Sequence, residues 1–324
     1  MNPPRTALLL ALLVNFSVAV AETGGRADHL TVQSTISDIL GHPAFAGFGR
    51  LILPWDDRVY DERLPLTRIA SLLPYHTHVD PETVVTALNR MVDDAAGGRK
   101  LFYSFYSAAQ MRQDPSRRHT GLFYLRGKPG APFAVICPGG GFSYVGSVHE
   151  GFPYAEAISR QGYNAFVLKY RVGQGGRPAT EDLAAAVSYI FKNAEELQVA
   201  TGGYSLWGSS AGARMAAAIG SHGAARYEGS NIPKPAAVVM AYTAHSDYSS
   251  PEPPTFAVVG EQDGIAPPAS MENRVDALRR SGTVVEYRKY KNLDHGFGIG
   301  KGTSAEGWIS EAVRFWEKAI GRLR

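Results

Sequence analysis

Cysteine is nearly absent from this chain. Its 324 residues hold one, Cys137, so no internal disulfide can form and stability has to come from core packing. Charge is sparse too, at 19%, and the Lys and Arg residues are scattered rather than gathered on one face, which speaks against nucleic acid as a partner. After the first two dozen residues no apolar run approaches spanning length, so the remainder carries no candidate membrane span. Neither a complete G-x-G-x-x-G frame nor a G-x-x-x-x-G-K-[ST] frame occurs, which removes the common nucleotide-phosphate cradles. Internal repeats and low-complexity linkers are missing as well.

The apolar run that does exist is at the start. MNPPRTALLLALLVNFSVAVA has a basic Arg5, an apolar stretch over 7–14 and the small residues Ala19 and Ala21 around Val20. That is the pattern of a secretory signal peptide over 1–21, too short to span a bilayer, and it predicts a secreted or periplasmic protein. Residues 22–115 are rich in Pro, His and aromatics and alternate little, with one clear helix over 81–95. This segment reads as an irregular N-terminal extension packed on or over the remaining two-thirds of the chain.

From 116 to 324 the chain alternates between short apolar strands and amphipathic helices. Strands are expected over 122–125, 133–137, 164–170, 204–208, 235–242, 255–260 and 283–290. Helices are expected over 149–162, 179–199 (starting near Thr180 and Asp182), 210–220, 270–280 and 304–323. Strands apolar on both faces and alternating with helices predict an α/β class with a mostly parallel central sheet, flanked by helices.

Between the strand YSLW and the helix after it lies GSSAG, residues 208–212. A G-x-S-x-G at a strand-to-helix turn is a nucleophile elbow: the turn is so sharp that Gly208 and Gly212 leave no room for side chains, and the hydroxyl of Ser210 projects above the sheet. The helix behind it offers a favourable field to a developing anion. A serine hydroxyl is a weak nucleophile and needs a base held by a carboxylate. Asp263, after the strand TFAVVG, and His295, in the glycine-flanked loop LDHGFG, both fall at strand C-terminal ends, on the edge that carries Ser210. Glu261 and Asp294 are rivals for the acid, the first better suited to a structural role and the second too close in sequence to face the imidazole. For the oxyanion, CPGGGF comes directly after a strand, and the N–H groups of Gly140, Gly141 and Ala211 are the expected donors. An imidazole base predicts activity that falls below roughly pH 6.5.

With PGGGF at 138–142, GSSAG at 208–212, EQDGIAPP around Asp263 and DHGF at His295, the chain resembles the α/β-hydrolase superfamily from about residue 115 onward, nearest its esterase and lipase branch. PGGGF with HEG downstream at 149–151 looks like secreted acetyl xylan and feruloyl esterases. Pro138 stands where the hormone-sensitive-lipase type begins its glycine run with histidine, so that branch's cap is not carried over. The resemblance implies a serine carboxylic ester hydrolase working through an acyl-enzyme on Ser210, with no metal or organic cofactor, on a small-molecule or polysaccharide ester.

About a dozen residues separate the strand over 235–242 from the next one, which leaves no room for a large lid there. Any cover has to come from the extension, whose LFYSFYS stretch (101–107) and histidines are candidates, though core packing is the commoner use of such a stretch. His149 and His245 are expected near the substrate pocket. His76 and His78, with Asp80 nearby, are metal-ligand types, but no further ligand cluster accompanies them and Asp80-Pro81 reads as a helix cap. Two other functions stay open: a serine peptidase of prolyl-oligopeptidase type, against which Ala213 replaces a favoured glycine and no propeller is present, and a non-catalytic binding protein that kept the fold.

Overall fold

A computed structural model describes residues 28–322 of the protein. The signal peptide expected over 1–21 lies outside the described residues. Among the described residues eight strands build one sheet: β1 (Phe102–Tyr103), β2 (Gly121–Leu125), β3 (Pro132–Cys137), β4 (Asn164–Lys169), β5 (Ala200–Ser209), β6 (Ala237–Ala241), β7 (Thr255–Gly260) and β8 (Val285–Tyr290). Their order is β1-β2-β4-β3-β5-β6-β7-β8, antiparallel at β1/β2 and β2/β4 and parallel from β4 to β8. The fully apolar runs FAVIC, AVVMA and TFAVVG are buried throughout because both faces are covered. β8, at the open edge, carries Glu286, Arg288 and Lys289 and is only partly buried, as an edge strand should be.

The helices are α1 (Ile36–Gly41), α2 (Gly49–Ile52), α3 (Pro81–Ala96), α4 (Ala108–Gln113), α5 (Phe152–Arg160), α6 (Gly176–Lys192), α7 (Ala211–His222), α8 (Pro268–Arg280) and α9 (Trp308–Gly321). Leu88 of α3, Ile158 of α5 and Trp316 of α9 pack into the core on one face of the sheet, and Val187 of α6, Ile219 of α7 and Val275 of α8 into the core on the other. Sheet class and layering agree with the sequence-based expectation.

Helix bounds differ in places: α5 opens at Phe152 and not at 149, α9 at Trp308 and not at 304, and α6 ends at Lys192, short of 199. α6 begins at Gly176, ahead of Thr180. Thr180 does not cap: its hydroxyl donates to the Gly176 carbonyl at 2.7 Å inside the helix, and buried Asp182 accepts from Arg171 Nε and Tyr106 O–H. Ser/Thr and Asp signal a cap only when no tertiary partner claims them.

The extension is less irregular than expected. It supplies α1 to α4 and the edge strand β1, and α3 starts as read, with Asp80 accepting from Thr83 Oγ1 at 2.6 Å and Pro81 in the first turn. Its Ile36, Phe45 and Leu88 belong to the same core as Val167 and Trp207 of the sheet. Lys169 at the end of β4 is buried and donates to the carbonyls of Leu53 and Pro54, while pairing with Asp56 at 2.9 Å. The LFYSFYS stretch builds β1 and its flank: Phe102 stacks on Phe48 and meets Phe123 edge-on. It covers the sheet edge, and its residues Ser104, Phe105, Tyr106 and Ser107 line a groove of about 480 Å³ with Ser188 and Tyr189 of α6, a groove that none of Ser210, Asp263 and His295 lines.

Candidate active site

At the end of β5 the chain turns into α7 through Ser210, whose φ of 51° and ψ of −115° are rare for a residue with a side chain. The turn is closed by contact. A Cβ on Gly212 would come 1.9 Å from the Cys137 carbonyl oxygen of β3, and one on Gly208 would come 2.3 Å from the Gly212 oxygen. Ser210 Oγ lies 2.9 Å from His295 Nε2, and His295 Nδ1 lies 2.8 and 3.0 Å from the two oxygens of Asp263. Asp263 Oδ1 also accepts from the N–H groups of Ile265 and Ala266 at 2.9 and 2.7 Å, which anchors the carboxylate. Asp263 and His295 are buried and Ser210 is half-buried, while Glu261 and Asp294 are exposed. The structure therefore brings Ser210, His295 and Asp263 into one hydrogen-bonded line and leaves both rival carboxylates out of it.

The glycine turn after β3 sits beside this line. A Cβ on Gly139 would be 3.0 Å from Ser210 Cβ. The N–H groups of Gly140, Gly141 and Ala211 have no hydrogen-bond partner among the described residues. Gly140 and Gly141 both have positive φ, 134° and 62°. These are the free donors an oxyanion site requires.

The two histidines expected near a pocket differ from each other. His149 does not line a pocket: it is buried, with Nε2 3.0 Å from the Gly296 carbonyl, under the loop that carries His295. Burial, with His76 nearby, pushes its pKa down to about 4, so it is neutral and Nε2–H donates. The reason lies in the turn that holds it. Residues Ser147–Gly151 form a π turn ahead of α5, and that turn points His149 and Glu150 inward. His245, by contrast, is half-buried and faces a groove of about 320 Å³ lined also by Phe142, Arg177, Arg214 and Tyr227. Phe142 follows β3, Arg177 opens α6 after β4 and Arg214 lies in the first turns of α7, so one end of the groove lies toward the edge of the sheet that carries Ser210. Burial together with Arg274 and Arg214 holds the His245 pKa at about 4, and its Nε2 has no partner among the described residues.

Two groups to which the sequence assigns no definite role, His76 with its neighbours and Glu150 of the HEG segment, complete the neighbourhood. Tyr75 and His76, from the extension, wedge between the glycine turn and the His295 loop. Thr77 N–H donates to the Gly296 carbonyl and Thr77 Oγ1 to the His295 carbonyl, at 3.0 and 2.8 Å. Tyr75 is partly exposed beside Gly141. Glu150, fully buried, accepts from Gly139 N–H at 2.5 Å and from Tyr242 O–H at 2.6 Å, and lies 3.2 Å from His76 Nε2. Burial opposes its ionisation, but His76 and these hydrogen bonds outweigh that and hold its pKa near 2. His78 joins no such cluster, and among the described residues no group of three or more His, Cys, Asp or Glu is arranged to hold a metal. No helix among the described residues is long and apolar enough to cross a membrane.

Residues 124–248, which hold the glycine turn and Ser210, match the family described as BD-FAE, and residues 222–322, which hold Asp263 and His295, match the prolyl oligopeptidase family. An acetylxylan esterase from Xylanibacter ruminicola is 22% identical over 227 residues, covering 61% of this chain and 47% of the relative. The chain thus spans about half the length of that curated relative. Among solved structures, the acetyl ester-xyloside bifunctional hydrolase of Caldicellulosiruptor lactoaceticus superposes with a TM-score of 0.57 at 20% identity, over 68% of this chain and 96% of the other. A thermophilic esterase of Thermogutta terrifontis gives 0.54 at 19% identity, over 62% and 88%. An α/β-hydrolase enzyme from a Medee basin deep-sea metagenome library gives 0.52 at 23% identity, over 62% and 93%. Sheet order, elbow and likeness together show that the chain has the α/β-hydrolase fold.

Proposed function

We propose that the protein is an exported serine esterase that hydrolyses carboxylic esters, short acyl groups on carbohydrate foremost among them, through an acyl-enzyme on Ser210. The observation that carries the reading is the continuous line Ser210–His295–Asp263, at 2.9 and 2.8 Å, beside three free backbone donors. His295 takes the Ser210 proton as Oγ attacks the ester carbonyl, and Asp263 keeps the imidazole oriented and stabilises its charged form. The N–H groups of Gly140, Gly141 and Ala211 receive the oxyanion. His295 then protonates the leaving alcohol, and water cleaves the acyl-enzyme by the same steps. No group in this scheme is a metal or an organic cofactor. The groove beside His245 would seat part of the substrate, with Arg214 as a hydrogen-bonding group.

Similarity to an acetylxylan esterase and to an acetyl ester-xyloside hydrolase supports the acyl and carbohydrate parts of this reading. The family match over 222–322 favours one second reading, a serine peptidase. Both chemistries use the same triad, so substrates have to separate them. We expect mature protein to hydrolyse p-nitrophenyl acetate and butyrate faster than the octanoate, to leave peptidyl p-nitroanilides intact, and to lose all measurable ester turnover in Ser210→Ala. Peptide cleavage in place of ester cleavage would turn the assignment to the peptidase. Failure of a fluorophosphonate to label Ser210 would remove the catalytic reading altogether.

A further inference from the structure

The carboxylate of Glu150 lies outside the triad and faces no groove, yet it is completely buried and surrounded by donors. A buried charge is costly unless its partners need it, so its contacts indicate what it is for. One of them is the backbone of the glycine turn. Gly139 N–H donates to Glu150 Oε2 at 2.5 Å, and the Gly139 carbonyl accepts from Gly146 N–H at 2.9 Å. Glu150 N–H in turn donates to the Gly146 carbonyl at 2.9 Å, so Gly139 is gripped from both sides by the segment 146–150.

The consequence for the next peptide is geometric. In a trans peptide the carbonyl and the following N–H point in opposite directions. Because the Gly139 carbonyl is tied inward to Gly146, the N–H of Gly140 has to point outward, away from that tie. Gly139 has no side chain to hinder this and lies against Ser210, where a Cβ would come 3.0 Å from Ser210 Cβ and 2.9 Å from Glu150 Oε2. Glycine backbone with φ of 134° at Gly140 and 62° at Gly141 has other conformations open to it, so something has to hold the turn in this one.

We infer that Glu150 is a positioning residue that locks the Gly139–Gly141 turn with the Gly140 N–H directed at the oxyanion. The same carboxylate receives Tyr242 O–H, and the Tyr242 ring packs edge-on against His295 with ring centres 5.1 Å apart. Oxyanion donors and general base are thus braced from one buried group. His76 Nε2 at 3.2 Å sets a counter-group beside it, and that histidine's Nδ1 meets Tyr144 O–H at 2.8 Å, which ties in the extension. The π turn is the device that delivers the carboxylate, since it directs His149 and Glu150 inward together.

The inference rests on the esterase reading, and its test is built to fail separately. Wild type has first to be labelled by a fluorophosphonate and to turn over p-nitrophenyl acetate. Two variants are then compared with it. Glu150→Met keeps volume and removes every acceptor, whereas Glu150→Gln keeps one amide oxygen that can still take the Gly139 N–H. The expected result for Glu150→Met is a kcat lower by about 10²-fold, the size of losing one oxyanion donor, with KM within about threefold. Affinity for an alkylboronic acid, whose adduct on Ser210 carries a negative oxygen in the oxyanion position, should fall by a similar factor. Glu150→Gln should recover most of both losses. A folded Glu150→Met with kcat within threefold of wild type overturns the inference. So does a kcat loss that leaves boronate affinity intact, or an equal loss in both variants, which would assign the effect to charge rather than to the grip on Gly139. Should the variants not fold, amide exchange in the wild type decides: Gly139 N–H is expected to be strongly protected and shifted downfield while Gly140 N–H exchanges freely, and equal exchange at the two would overturn the inference.

Discussion

At the scale of single residues the proposed site depends on hydrogen bonds that each have one purpose. Asp263 offers one oxygen to both His295 Nδ1 and the turn N–H groups of Ile265 and Ala266, and keeps the other for His295 alone. An amide at this position would have to present its NH₂ either to those N–H groups or to Nδ1–H, and both pairings set donor against donor. The cheapest relief is the other imidazole tautomer, which carries its proton on Nε2 and cannot take one from Ser210. Asp263→Asn is therefore expected to lower kcat by about 10⁴-fold. Its thermal midpoint should change little, and the rate of fluorophosphonate labelling should fall in parallel with kcat. Retention of more than a tenth of wild-type kcat would take Asp263 out of the acid role. Ser210, His295 and Asp263 were legible in the sequence because each stands in a turn whose glycines serve that chemistry. The role of Glu150 was not, since a glutamate within a helix expected over 149–162 gives no sign that a π turn will point it inward.

The element that decides the site is the junction of β5 with α7, where main chain touches main chain. A methyl group on Gly212 would lie 1.9 Å from the Cys137 oxygen, 2.5 Å from its carbonyl carbon and 2.8 Å from the Pro138 oxygen. These atoms belong to β3 and the start of the glycine turn and cannot swing aside as a side chain could. Gly212→Ala has to push α7 away from β3, separating the Ala211 donor from Gly140. We expect a loss of about 1–3 kcal/mol or more in urea unfolding, as for forced overpacking, and at least a hundredfold lower kcat. Gly202→Ala in β5 meets no atom within 4 Å and serves as the control, with stability near that of wild type. Strands and helices of this half were readable because each has a clean period and a turn at its end. The exceptions were local. β5 runs from Ala200, longer at its start than the apolar core YSLWG suggested, and α6 starts early because Thr180 and Asp182 have partners that sequence cannot show.

Across the whole molecule the extension packs against the proposed site, through residues that composition alone did not single out. Tyr75, His76 and Thr77 brace the glycine turn and the His295 loop through tertiary contacts with residues some 70 to 220 positions away, and no local periodicity encodes such contacts. The same packing has a consequence for stability against acid. His149 is buried and neutral, with its pKa near 4, well below the value of about 6.5 that it has in an unfolded chain. Between these values the unfolded state binds a proton that the folded state refuses, so stability rises with pH across this window and is lost as pH falls from about 6.5 toward 4. His245, also held near 4, acts in the same direction. Glu150, with its pKa near 2, adds a second loss below about 4.5, as protonation of the unfolded carboxyl begins to compete. Urea midpoints measured from pH 8 to 4 should therefore fall steadily below about 6.5, with His149 alone contributing on the order of 3 kcal/mol. His149→Gln, which keeps a donor for the Gly296 carbonyl but cannot titrate, should flatten the slope between pH 6.5 and 4.5 and leave the steeper fall below it. An unchanged slope in that variant would mean that His149 is already protonated in the folded protein, and its hydrogen bond to Gly296 would then be charge-assisted.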